Sequence, residues 1–347
     1  MPTNREQGDN IQIMLRIHSY ESMGTFDGPG LRLVVFLQGC NFRCLYCANP
    51  DTIDACGGKP TPAEEILRMA TDQKPFFGRR GGVTFSGGEP TFQATALVPL
   101  VRQLHGAGIH VCLDSNGGVW NPAVEELLGL VDLVLLDVKQ ADPERHRALT
   151  GRENAQTLRT AAWLEAHGKP FWLRYVLVPG ISDAEADIRA LGERLGGYKS
   201  VERVELLPYH TLGVHKYEAM GLEYKLRDVR ENTPEQLDRA AALRVEASAR
   251  DFMANATHEL KTPIGAVSVL SEAVEAAYDD PEPGPMLRIL VSRGYDPTTG
   301  VGAGKGLAVN GQRLASGYAV GIGQCHKITA KSAHFGLEQS YARGKLI

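Results

Sequence analysis

Cys40, Cys44 and Cys47 fall in the segment GCNFRCLYCANP with the spacing C-x3-C-x2-C. Three thiolates on one short loop can each face a corner of a [4Fe–4S] cube, leaving the fourth iron open to a small molecule. A structural zinc site needs a fourth Cys or His to close its tetrahedron. Cys56 is an alternative fourth ligand on distance alone, although it follows in Gly-rich loop sequence. Cys112 alternates within an apolar run and reads as a small core residue. Cys325 lies in a stretch with no readable pattern. Six cysteines in a chain of 347 residues with no apolar leader are not a disulfide framework, so metal ligation or catalysis is the better reading of a cluster.

A loop of this kind needs a scaffold that fixes its ends. From about residue 11 to 246 the sequence alternates short β-branched runs with helical patterns. The strand-like runs cover 31–37, 82–85, 109–113, 133–138, 171–178 and 203–207. Helical periodicity covers 62–71, 95–105, 122–130, 155–167, 183–195 and 234–247, the last with Thr233 as N-cap. Nearly continuous apolar strands separated by helices imply parallel strands covered on their outer face. The expected fold is α/β, a partial (β/α)6 barrel followed by a C-terminal helix and an irregular tail. In such barrels the chemistry sits at the carboxyl ends of the strands, and the cysteine loop directly follows the first of them.

Further motifs fall at the other strand ends. IHSYESMGTFDGPGLR (17–32), TFSGGEPTFQ (84–93), CLDSNG (112–117), LLDVKQ (135–140), RYVLVPG (174–180) and ELLPYHTLGVHKYEAMG (205–221) occur in order with the cysteine triplet. Together they resemble the pyruvate formate-lyase activating enzymes of the radical S-adenosylmethionine superfamily, over about residues 11–246. The resemblance implies a cluster held by Cys40, Cys44 and Cys47, with S-adenosylmethionine on its open iron. It places the ligand's amino group at Gly87, Gly88 and Glu89, and further contacts at Asp137, Val138, Lys139 and His210. Asp114 and Ser115 would lie near the ligand and a monovalent cation shared with Asp137. Tyr46 and Ala48, flanking Cys47, would pack on adenine. Asp27 and Arg174 would orient the glycine loop of a protein substrate, pyruvate formate-lyase. Reduced flavodoxin or ferredoxin would supply the electron. Ala48 stands where many relatives have His, and Ser115 where many have Thr. Only Cys56 lies between the triplet and the SGGE turn, so the cysteine-rich insert of activators for other glycyl radical enzymes is missing.

Independently of the resemblance, strand alternation sends Asp137 and Lys139 to one side, where a buried lysine needs an anion. A formal net charge of −4 gives no basic footprint for nucleic acid, and no run approaches the length of a membrane span. A cytoplasmic protein is expected. The first domain is expected over 1–248. Residues 249–285 are expected to form a helical fragment, in which HELKTP resembles the H-box of sensor histidine kinases, with His258 at the phospho-acceptor position. Residues 286–347 are Gly-rich, and GVGAGKGLAV (300–309) fails the spacing of a phosphate-binding loop.

Overall fold

The structure, a computed structural model, describes residues 12–248 and four two-residue strands, Tyr295–Asp296, Val301–Gly302, Ala308–Val309 and Gln312–Arg313. The H-box-like segment with His258, and the tail apart from those four strands, lie outside the described residues. The chain divides into two compact units. One draws on Met1–Tyr20, Val35–Met69 and Phe85–Ala256, the other on Glu21–Val34, Ala70–Thr84 and Thr257–Ile347.

The strands are β1 (Met14–Gly24), β2 (Arg32–Leu37), β3 (Lys59–Pro62), β4 (Gly82–Gly87), β5 (His110–Ser115), β6 (Leu133–Asp137), β7 (Phe171–Leu177) and β8 (Val201–Pro208). They form one sheet in the order β3-β1-β2-β4-β5-β6-β7-β8. β5, β6, β7 and β8 pair in parallel in succession. This is the α/β, parallel-rich sheet of a partial barrel. β2 and β4 to β8 are the six strands read from the sequence.

The other two were not anticipated. β1 and β3 run antiparallel, with Met14 opposite Pro62 and Ile17 opposite Lys59. Prolines 60 and 62 disguise β3, yet an edge position tolerates them because it needs fewer ladder donors, and β3 is at the edge.

Six helices match their expected spans within two residues: α1 (Ala63–Gln73), α2 (Ala94–Gly106), α3 (Pro122–Leu130), α5 (Ala155–Ala166), α6 (Glu185–Leu195) and α8 (Pro234–Ser248). Two short ones, α4 (Pro143–Thr150) and α7 (Val214–Ala219), were missed. α4 is too short and polar to show periodicity, but its punctuation is complete. Asp142 accepts from Arg145 N at 2.8 Å, Pro143 opens the helix, and Gly151 closes it at φ +77°. α8 begins with a capping box: Gln236 N donates to Thr233 Oγ1 at 3.3 Å and Thr233 N to Gln236 Oε1 at 2.8 Å. Cys112 is buried beside Leu133, Leu135 and Trp172, the core residue its alternation implied.

Candidate active site

The cysteine loop leaves β2 and is held at several points through its backbone. Gly39 N donates to Thr52 O at 2.8 Å and Cys40 N to Ile53 O at 3.1 Å. Arg43 N and Leu45 N donate to Thr150 O at 2.8 Å and Leu149 O at 3.0 Å. Those two carbonyls belong to the last turn of α4, where intrahelical donors run out. The missed helix is therefore the seat of the loop. The three cysteines are half-buried, and the charge of Cys47 acts on both Cys40 and Cys44. Burial pushes the thiols up, Cys40 to about 11 and Cys44 to about 12, while the Lys139 ammonium pulls both back. The Phe42 and Asn49 amides donate to Cys40 and Cys47.

β4 ends in the SGGE turn, which lies against this loop. A Cβ on Gly88 would stand 2.3 Å from Gly39 O and 2.9 Å from Thr52 O, so only glycine fits. Glu89 N in turn donates to Gly39 O at 2.7 Å. The Glu89 side chain is fully buried and turned into the protein. Its Oε1 accepts from Thr91 N at 3.1 Å, Thr91 Oγ1 at 2.6 Å and Ser115 Oγ at 2.8 Å, and its Oε2 from Asn116 N at 2.7 Å. Burial still outweighs these donors and raises its pKa. These bonds tie the ends of β4 and β5 together.

Asp137 and Lys139 do share a side at the end of β6, with Lys139 Nζ 2.6 Å from Asp137 Oδ2. The ammonium also stands 5.7 Å from the centre of the Tyr46 ring. Burial lowers the Lys139 pKa, but the anions around it, led by Asp137, raise it well above the ordinary value. Val138 is buried, and its amide donates to Arg174 O at 3.0 Å. Along the neighbouring strands Arg174 Nη1 lies 3.2 Å from Asp114 Oδ1 and its Nε 3.3 Å from Glu205 Oε2. Ser86 Oγ donates to Asp114 Oδ2 at 2.7 Å. Both carboxylates expected beside a cation, Asp114 and Asp137, thus already face protein cations. The sequence reading took Ser86 only as part of the SGGE run and did not single out Glu205, because the partners that engage them lie on neighbouring strands.

After β8 the chain returns to the cysteine loop. A Cβ on Gly213 would meet Ala48 Cα at 2.6 Å. Lys216 Nζ donates to Asn49 Oδ1 at 2.8 Å and stands 3.3 Å from Asp51 Oδ1, whose other oxygen is 2.9 Å from His18 Nε2. Leu45 and Tyr46 pack against the apolar cluster of Val178, Tyr209, Tyr224 and Leu226. Tyr209 is buried and His210, beside it, is exposed. Asp27 belongs to the smaller unit. There its carbonyl accepts from Thr84 Oγ1 at 2.6 Å, and Thr84 Oγ1 accepts from the buried Arg32 Nε at 2.5 Å.

This geometry can be set beside known proteins. A profile described as the Radical SAM superfamily matches residues 34–191. The Escherichia coli K12 protein named pyruvate formate-lyase 1-activating enzyme is 44% identical over 236 residues, covering 67% of this chain and 96% of its own length. The chain belongs to the pyruvate formate-lyase-activating enzyme family. The Clostridium pasteurianum activating enzyme is 47% identical over 219 residues, 62% of this chain and 91% of that protein. Among solved structures, Streptococcus suis SuiB bound to its precursor peptide SuiA aligns with a TM-score of 0.51 at 18% identity, over 74% of this chain and 54% of that one, a likeness of fold.

As a radical SAM enzyme of the activating-enzyme family, the protein uses an iron–sulfur cluster of the [4Fe–4S] type and S-adenosylmethionine. The residues present fit such a group. The donor set is all thiol, and backbone amides are directed at two of the three sulfurs. Cys56, the alternative fourth ligand, is exposed, its amide bonded to Asp54 Oδ1 at 2.9 Å. Among the described residues no set of three His, Cys, Asp or Glu converges on a single metal ion, whereas in a cube each thiolate takes an iron of its own.

Proposed function

We propose that the chain is a glycyl-radical-enzyme activase whose protein substrate is pyruvate formate-lyase. The observation that supports this most is the cysteine trio seated beside the Lys139–Asp137 pair at the strand ends of a radical SAM barrel. When bound, the reduced cluster supplies one electron to the sulfonium of S-adenosylmethionine, breaking its S–C5′ bond to give methionine and a 5′-deoxyadenosyl radical that takes a Cα hydrogen from a glycine.

The chain's own residues position and shield. Cys40, Cys44 and Cys47 hold three irons and leave the fourth to the cosubstrate. The Lys139 ammonium, already balanced by Asp137, offers its remaining donors to a carboxylate. Gly87 and Gly88 let backbone approach the ligand closely, and Tyr46, Ala48 and the segment bearing His210 close one side against water. Arg174, held by Asp114 and Glu205, orients the partner's glycine loop. Reduced flavodoxin or ferredoxin is the electron source.

Anaerobic reconstitution should give about four irons per chain and reductive cleavage of S-adenosylmethionine. Incubation with pyruvate formate-lyase should then yield a glycine-centred electron paramagnetic resonance doublet on the partner. Full cleavage activity in Cys44→Ala would sink the reading, and a doublet raised only on a different glycyl radical enzyme would reassign the substrate.

A further inference from the structure

We propose that Asn116 is a positioning residue for the cluster, its side-chain amide donating a hydrogen bond to the sulfur of Cys40 and easing reduction there. The inference rests on the reading of Cys40 as a cluster ligand.

Asn116 follows the last residue of β5 and is 6% exposed, although nothing about an Asn-Gly pair after a strand demands burial. Every polar atom it carries is engaged. Its amide N donates to Glu89 Oε2 at 2.7 Å and its carbonyl accepts from Thr157 Oγ1 at 2.8 Å. Its Oδ1 accepts from Gly118 N at 2.8 Å. That bond fixes which end of the amide carries the protons and turns the NH2 group toward the cysteine loop. One N–H reaches Asn41 Oδ1 at 2.8 Å, and Nδ2 lies 3.9 Å from Cys40 Sγ. The space is cut to this arrangement. A Cβ on Gly118 would stand 2.5 Å from Asn41 Nδ2 and 2.9 Å from Asn116 Oδ1.

Hydrogen bonds to cluster sulfurs stabilise the added negative charge of the reduced state and so raise the reduction potential. The loop is sparing with such donors. The amides of Cys40, Arg43, Leu45 and Cys47 are spent on the carbonyls of Ile53, Thr150, Leu149 and Cys44. Cys40 receives the Phe42 amide, and Asn116 adds a side-chain donor that can be removed without touching a ligand or the loop backbone.

The test is an electron paramagnetic resonance redox titration of the anaerobically reconstituted full chain, with iron and sulfide counted in parallel. Asn116→Ala should keep its iron but show a reduced-to-oxidised ratio three- to tenfold lower at a fixed potential, tenfold being about 59 mV for one electron. Asn116→Asp, which keeps the acceptor for Gly118 but turns an oxygen toward the sulfur, should fall further. Unchanged titrations in both loaded variants overturn the proposal. Should either variant fail to fold, pulsed resonance on the wild-type chain carrying 15N-amide asparagine decides: a nitrogen coupling to the reduced cluster is expected, and its absence overturns the proposal. Unchanged titrations in the Asn116 variants of a chain that still cleaves S-adenosylmethionine overturn the Asn116 inference alone, whereas a wild-type chain that takes up no cluster overturns the activase reading with it.

Discussion

The backbone amide of Asn116 donates to Glu89 Oε2 across 2.7 Å, and that bond joins the strand-end turn of β4 to that of β5. Glu89→Gln keeps one oxygen for Thr91 and Ser115 but turns an NH2 group toward the Asn116 N–H. Two donors then face each other in a buried place, at a cost of about 1–3 kcal/mol. The pH dependence should change too. Burial raises the Glu89 pKa above 4.5, so the folded state binds this proton more tightly than the unfolded one. Glu89 therefore favours the fold at acid pH and loses that contribution as pH rises above about 4.5 through its folded value. Urea unfolding at pH 5 and pH 7 should show the variant weaker at both, with the smaller decline between them.

Arg174 stands between two carboxylates, and removing it takes a cation from both, leaving Asp114 with the Ser86 hydroxyl at 2.7 Å and Glu205 with Arg203 Nη1 at 3.6 Å. Arg174→Met leaves Asp114 and Glu205, side chains only 14% and 13% exposed, without the guanidinium between them. Breaking a buried pair costs about 3–5 kcal/mol. Denaturant melts should show a loss near the lower end of that range, because some water reaches both acids. Arg174→Lys should recover part of it, since a point charge cannot reach two acceptors as a fork does.

Gly88→Ala should be among the most damaging single-methyl changes in the chain. The added carbon would meet backbone atoms of Gly39 and Thr52 that cannot rotate away. Overpacking of this kind costs about 1–3 kcal/mol, occasionally more. Iron content after reconstitution should fall with the melting temperature, because the displaced Gly39 leads straight into Cys40. A normal iron content with unchanged melting would contradict the close approach.

Loading the thiols must release their protons, since burial holds Cys40 near 11 and Cys44 near 12. Iron uptake should accordingly quicken between pH 7 and pH 9 (roughly one proton displaced per cysteine), measurable as acid release in weak buffer. The metal-free chain should behave oppositely. Its folded state holds these protons more tightly than the unfolded chain, so the stabilisation is complete below pH 9 and drains away as pH rises toward 11 and 12. A melting temperature indifferent to pH across that window would count against the buried setting of the thiols.

The sequence made the cysteine trio, the six alternating units and the common side of Asp137 and Lys139 legible because each follows from spacing or strand periodicity alone. β3 stayed hidden because its two prolines mimic a loop, and α4 because eight mostly polar residues carry no readable apolar face. The inward turn of Glu89 was illegible for a different reason. Its direction is set by donors on Ser115 and Asn116, more than twenty residues away in sequence, and nothing in SGGE itself reveals them. Arg32 and Asn116 share that history, polar residues whose burial depends on partners supplied by another strand.

Thr150 and Leu149, at the end of α4, give the cysteine loop the carbonyls it leans on. The loop therefore has no finished shape during synthesis until more than a hundred further residues have emerged and that small helix has formed. A nascent chain halted before residue 143 would present its three thiols on a slack segment, prone to scavenge stray zinc or to oxidise. Maturation of the metallocentre is thereby placed late, after assembly of the scaffold through its fourth βα unit.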